Sequence, residues 1–356
     1  MKSKVYFVPV DESESVQDVQ LKFRELLLSC GLLECVRAND KAVIKLHFGE
    51  EGNTGYVRPE FIRVIVDIIN SKNGSAVISD TNTLYNGRRV RSDEHEKLAR
   101  EHGFTEEIAG ATAVVPDERD PGNCVTVPIK KAFVKDATVL KLYREADVLV
   151  GVAHFKGHLV TGFGGALKNI GMGCASREGK LAQHSTVSPV VYLDKCTGCG
   201  ECSTVCLAQA IALENGKSSI DATKCIGCAS CIAACRFEAI DVNWGSGAGT
   251  LQEKMAEFAY AVLHGRKNSI FINVATKITA ECDCLAKDDP RIVDDVGILA
   301  SSDPVALDQA SYDLVCRKAR GRDVFKESHP KSQSRKQLGH AENLGLGTKK
   351  YDLITL

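Results

Sequence analysis

Eight of the fifteen cysteines fall in two runs of one spacing, and no other feature narrows the fold as much. The first run is Cys196-Thr-Gly-Cys199-Gly-Glu-Cys202-Ser-Thr-Val-Cys206. Eighteen residues intervene before Cys225-Ile-Gly-Cys228-Ala-Ser-Cys231-Ile-Ala-Ala-Cys235. Each is C-x2-C-x2-C-x3-C, a spacing that ligates 4Fe-4S clusters with the fourth cysteine of each run crossing to the other cluster. Two-residue gaps let one tight loop carry three thiolates to three corners of a cube, while the fourth sits on a short helix that points away. Cys196, Cys199, Cys202 and Cys235 are therefore expected on one cluster, and Cys225, Cys228, Cys231 and Cys206 on the other. Gly198 and Gly227 hold matching positions, where the missing Cβ lets backbone N–H groups approach the cluster sulfurs. Zinc sites show separated C-x2-C halves rather than tandem three-cysteine runs. One departure is that Leu207 and Arg236 follow the fourth cysteines, where Pro is usual.

Two 4Fe-4S clusters need only a short bacterial-type ferredoxin module, and this chain has 356 residues, enough for a sizeable core and about two domains. With 45 basic and 46 acidic side chains there is no electrostatic footprint for nucleic acid or an anionic membrane. No apolar run approaches the ~20 residues that span a bilayer. The opening Met1–Val10 reads as a first strand rather than a signal peptide. Thiolate clusters in a chain of this length point to a reducing cytoplasm.

The flanks alternate strands and helices. Residues 4–10 read as a strand, and Ser15 with Asp18 opens a helix that closes at Gly31. Lys41–Phe48 is a β-branched run, followed by a helix with Pro59 in its first turn and Phe61, Ile62, Ile65, Ile68 and Ile69 as its buried stripe. Ser75–Ser79 repeats the pattern, with Ser92 expected to cap the next helix. Val125–Val127, Val139–Leu142 and Asp147–Ala153 are strand cores. After Asn243 come a helix over 251–264, a strand over 269–274, another at 296–300 and a helix opened by Asp303-Pro304. The segment 326–349 is polar and basic and reads as a surface loop. This predicts an α/β fold, a mostly parallel sheet with helices on its faces, interrupted by the ferredoxin (α+β) module. The expected division is 1–187 for the first part of the core, 188–244 for the insertion and 245–356 for the second part.

The remaining chemistry lies in polar loops after strand ends, where open parallel sheets place their sites. His47 and Lys45 close the second strand, and His154-Phe-Lys156-Gly-His158 leads into a glycine-rich stretch holding Lys168 and Cys174. With His184 these groups make a cationic, proton-active pocket, suited to a carboxylate or phosphate and to acid–base work by His154, His158, Lys168, His47 and Lys45. Asp80, Asn82 and Asn53 are candidates to orient a substrate. The glycines fit neither a dinucleotide fingerprint nor a P-loop. Of the non-cluster cysteines, Cys30, Cys35, Cys124 and Cys316 read as small apolar fillers. Cys174 and the Cys282-Asp-Cys284 pair are expected as ligands of a third metal or Fe-S cluster.

The motifs Ile44-Lys-Leu-His-Phe-Gly-Glu, Ser79-Asp-Thr-Asn-Thr-Leu-Tyr-Asn-Gly, His154-Phe-Lys-Gly-His, Gly164-Gly-Ala-Leu-Lys-Asn-Ile-Gly-Met-Gly-Cys-Ala-Ser-Arg, Cys282-Asp-Cys and Gly297-Ile-Leu-Ala-Ser-Ser-Asp-Pro-Val-Ala-Leu-Asp resemble the family known as domain of unknown function 362, in its members with a ferredoxin insertion. The resemblance spans nearly the whole chain and implies Fe-S content without implying a substrate. Two function classes compete. One is an iron-sulfur oxidoreductase in which the clusters relay electrons to or from the Cys/His/Lys site and a small anionic substrate. The other is an electron-carrier or scaffold subunit that docks a redox partner protein. About three hundred residues beyond the ferredoxin, dense in polar loops, favour the enzyme.

Overall fold

The structure is a computed structural model and describes residues 2–85, 87–184, 188–243 and 249–356. The division points at 187/188 and 244/245 lie at or beside residues outside this set. Eight strands form the main sheet: β1 (Ser3–Pro9), β2 (Lys41–Lys45), β3 (Ser75–Ser79), β4 (Ala113–Val114), β5 (Val148–His154), β6 (Ser269–Ala275), β7 (Gly297–Ser301) and β8 (Tyr351–Thr355). Their order is β8-β1-β7-β6-β5-β2-β3-β4. Every neighbouring pair is parallel except those made by β7, which runs against both β1 and β6. The expected mostly parallel sheet is thus present, with one reversed strand that the hydrophobic pattern at 296–300 did not distinguish.

Side chains alternate between the faces. Ala42 and Ile44 join the core under the helices Val16–Cys30 and Pro59–Ser71, whereas Val43 joins the core on the opposite face. That second core is closed by the helices Ala166–Gly171, Leu251–Leu263 and Pro304–Lys318. Helices on both faces make a three-layer α/β/α sandwich. The start and stop signals act as their chemistry requires. Ser15 and Asp18 form a reciprocal capping box, Gly31 closes the helix in the left-handed region, and Pro59 takes the first turn of the next. Ile62, Ile65 and Ile69 are fully buried, each worth about 1.5–3 kcal/mol.

Two expectations are corrected. Ser92 lies inside its helix, and its hydroxyl accepts from Asn82 Nδ2 at 2.9 Å and donates to the Pro116 carbonyl instead of capping. The supposed loop 326–349 contains helix Lys336–Asn343 and the end of helix Val324–Ser328, with Gln337, Leu338 and Ala341 buried. Helices this short show too few turns for a periodic stripe to register.

The cysteine-rich segment carries two small antiparallel pairs, Val190–Val191 with Ile240–Asp241 and Ile211–Glu214 with Lys217–Ile220. Its two halves repeat one backbone pattern. Gly198 and Gly200 have φ of 70° and 80°, and Gly227 and Ala229 at the matching positions have 72° and 59°. The N–H of Ala210 donates to Cys206 Sγ at 3.2 Å, and that of Ala239 donates to Cys235 Sγ at 3.3 Å. None of the eight cysteines is in a disulfide. Cys206, Cys225, Cys228 and Cys231 line one small cavity of about 20 Å³.

Candidate functional site

The chain runs β2, β3, β4 in one direction across the sheet and then returns to place β5 on the other side of β2. That reversal leaves a crevice at the C-terminal ends of β2 and β5, the place where open α/β sheets bind ligands. Asn169 bridges its floor, donating through Nδ2 to the carbonyls of Lys45 (3.0 Å) and Val152 (3.1 Å). Above it opens a cavity of about 220 Å³.

Among the described residues, Lys45, Arg89, Lys156, Lys168 and Lys180 line this cavity, against one lining carboxylate, Asp80. Lys45 Nζ contacts Asp80 Oδ1 at 3.0 Å, and Arg89 Nη2 contacts Asp80 Oδ2 at 3.2 Å. Burial opposes the charge on Asp80, but Lys45, His95 and Arg89 outweigh it and hold the carboxyl well below its ordinary range. Lys180 donates to Thr81 Oγ1 at 2.5 Å and to the Asn82 carbonyl, and burial brings its pKa down to about 8. Lys168 has no hydrogen-bond acceptor among the described residues. Burial disfavours its charge, yet the facing Cys284 and Cys282 sulfurs and Asp283 raise its pKa overall.

The histidines are sorted by their partners. Both ring nitrogens of His154 face oxygen acceptors, Asp283 at 3.0 Å and the Thr276 carbonyl at 2.8 Å. These two contacts fix the orientation of the His154 ring in the cavity wall. His158 Nδ1 accepts from the N–H groups of Val160 (3.2 Å) and Thr161 (3.1 Å), which leaves the proton on Nε2. Burial and then Lys168 hold His158 well below its ordinary pKa. His47 behaves alike: Nδ1 accepts from Gly49 N–H at 2.9 Å and Nε2 faces Cys284 Sγ at 3.5 Å. Burial lowers the pKa of His184 to about 4.

Cys282 and Cys284 both line the cavity. Their mutual hydrogen bond comes first in lowering Cys284 well below the usual thiol range, with Lys168 and His47 adding to it, and it drives Cys282 well above. Cys174, which the sequence reading grouped with them, is elsewhere. It follows Gly173 beyond the helix Ala166–Gly171, and while Lys168, Asn169, Met172 and Gly173 face the cavity, Cys174 turns into the hydrophobic core. Its N–H donates to the Ile170 carbonyl at 3.0 Å, and burial pushes its thiol up to about 12. The expected three-cysteine ligand set is therefore not assembled. Among the described residues, no three His, Cys, Asp or Glu side chains converge on a point that could hold a single metal ion.

Asn53 is also away from the cavity, bonded to the Lys287 carbonyl at 2.8 Å. Sequence reasoning missed Arg89, Lys180 and Asp283 as site residues. Asp283 pairs with Lys156 at 2.5 Å and with His154. Its place inside Cys-Asp-Cys was the available signal. Asp308 is fully buried below the site, accepting from Ala166 N–H at 2.7 Å, Leu167 N–H at 2.9 Å and Asn273 Nδ2 at 2.8 Å.

The family described as "Domain of unknown function (DUF362)" matches residues 42–313. The chain belongs to this family. The DUF362 match contains the cavity-lining segments and both cysteine runs. No curated protein matches the sequence. Among solved structures, the lactate racemase apoprotein from Thermoanaerobacterium thermosaccharolyticum is similar at a TM-score of 0.37 and 16% identity, covering 77% of this chain and 51% of that one. A protein from Thermotoga maritima is similar at 0.37 and 14% identity, with 71% and 50% covered. The chain thus spans about half the length of these neighbours. No helix among the described residues is long and apolar enough to cross a membrane.

Proposed function

We propose that this DUF362 chain is an iron-sulfur oxidoreductase that exchanges electrons between two 4Fe-4S clusters and a small anionic substrate held in the cavity. The residues that would hold the clusters are Cys196, Cys199, Cys202 and Cys235 for one and Cys225, Cys228, Cys231 and Cys206 for the other. Their chemistry fits: eight cysteines outside any disulfide lie on two copies of one left-handed backbone pattern, with N–H donors aimed at Cys206 and Cys235. Thiols of a four-iron cube sit on separate corners, so a set that does not converge on one ion is compatible with a cluster. When bound, such clusters supply single-electron transfer over a wide range of potentials.

One observation carries the link to the cavity. Leu84 lines the cavity and also belongs to the apolar core built from Cys202, Cys231, Ala229 and Ile232, with Leu181 beside it. The cysteine segment and the cavity therefore share an apolar, packed wall. Within the cavity, Lys168 and Arg89 attract a carboxylate or phosphate, the Nε2–H of His158 donates a hydrogen bond, and Asn169 keeps the floor closed.

The test is anaerobic purification followed by reduction with dithionite under electron paramagnetic resonance. The reading expects reduced-cluster signals in the wild type and in Lys168→Met. Phosphate or small carboxylates should raise the melting temperature of the wild type but not of Lys168→Met. Absence of cluster signals, or equal anion response in the two proteins, would contradict it.

A further inference from the structure

We propose that Cys282 and Cys284 form a redox-active dithiol that closes to a disulfide, and that the cavity uses it to reduce a small disulfide bearing a carboxylate. This deepens the oxidoreductase reading and rests on it only for the source of electrons.

The geometry of the turn is the starting point. Cys282 and Cys284 flank Asp283 in a turn closed by Leu285 N–H on the Cys282 carbonyl at 3.2 Å. Asp283 is buried and held from two sides, by Lys156 Nζ at 2.5 Å and by His154 Nδ1 at 3.0 Å. The middle residue thus anchors the turn, and both flanking cysteines line the cavity. A pinned pair of adjacent thiols, with no third ligand converging on them, is poised for disulfide exchange rather than for holding an ion.

The two sulfurs are not equivalent. His47 accepts the Gly49 N–H through Nδ1, so its proton sits on Nε2 and faces Cys284 Sγ at 3.5 Å. Cys284 is therefore the attacking thiolate and Cys282 the resolving thiol. Lys168, without a hydrogen-bond acceptor among the described residues, faces the same sulfur and is available to a substrate carboxylate.

The reaction balances as follows. Cys284 Sγ attacks one sulfur of the substrate, the substrate S–S bond breaks, and the first half leaves as a thiolate. That thiolate takes the proton of Cys282. Cys282 Sγ then attacks Cys284 Sγ, the mixed disulfide breaks, and the second half leaves as a thiolate. One substrate disulfide becomes one thiol and one thiolate, and the dithiol becomes a disulfide. Two electrons and one proton restore the thiol–thiolate pair, delivered in two steps by a one-electron donor such as a reduced iron-sulfur protein or dithionite.

The experiment uses the full chain, reduced anaerobically with dithionite, desalted, and mixed with cystine before alkylation. Mass spectrometry then reads the tryptic peptide 278–287, whose only cysteines are these two. The proposal expects the peptide to pass from doubly alkylated to an unalkylated internal disulfide, and Cys282→Ser to trap half of the probe on Cys284. Cys284→Ser should leave the Cys282 thiol alkylatable throughout. Persistent double alkylation in the wild type, or no trapped adduct in Cys282→Ser, overturns the proposal. Iron measured on the same samples separates the two readings. Wild-type iron with no disulfide closure sinks the dithiol alone, and closure without iron sinks the cluster reading alone.

Discussion

Asp308 shows how one buried side chain supports the site without touching it. Its carboxylate receives the first N–H groups of the helix that carries Lys168, and burial raises its pKa to about 6 from 3.8. A raised carboxyl binds its proton more tightly in the folded state, so its contribution to stability is full below about 3.8 and is lost as the pH rises to about 6. Urea unfolding should accordingly show the advantage of wild type over Asp308→Asn shrinking between pH 4 and 6; a constant difference would contradict this. Asp308→Ala strands two backbone donors and is expected to cost about 1–3 kcal/mol for each group left unsatisfied. Lys180 gives a second pH signature. Its pKa is lowered to about 8, so it sheds its charge as the pH passes that value. Phosphate binding should weaken across that range, and Lys180→Arg should move the loss to higher pH in a calorimetric titration. At this scale the sequence pointed to Lys45, His47 and the His154–Lys168 stretch, because each begins at or just past the C-terminal end of a strand. It hid Asp283, whose partners Lys156 and His154 are 127 and 129 positions away. Cys174 misled because a glycine-rich stretch says nothing about which side of a short helix end faces the cavity.

At the scale of elements, the helix Ala166–Gly171 packs against Leu251–Leu263 with Gly171 at the contact, where a Cβ would overlap the Met255 carbonyl oxygen. Gly171→Ala should therefore destabilise by about 1–3 kcal/mol, read as a lowered melting temperature. Gly339 is the contrasting case: it lies inside helix Lys336–Asn343 with open space around its Cα. Gly339→Ala should stabilise by about 0.5–1 kcal/mol because glycine is costly in a helix interior. No stabilisation would mean that this segment is the loop its polar sequence suggested. Helices with caps and long apolar stripes were legible in the sequence, as at Ser15 and Pro59. The antiparallel direction of β7 was not, since a buried strand shows the same apolar run in either direction.

Across the whole molecule, the cysteine segment and the α/β core meet at Leu84 and Leu181, which lie between the cysteine core and the cavity loops. That shared wall makes the segment more than an appendage to the sheet, and it sets the five cationic cavity residues close to the cysteine segment. The tandem spacing announced the cysteine pattern, but only the fold placed that pattern beside the cavity. The most direct test is iron and acid-labile sulfide measured per chain after anaerobic purification. The account predicts about eight of each, falling in Cys206→Ser and Cys235→Ser but unchanged in Cys174→Ser. Zinc in place of iron, disulfides among Cys196–Cys235, or iron lost in Cys174→Ser would contradict it.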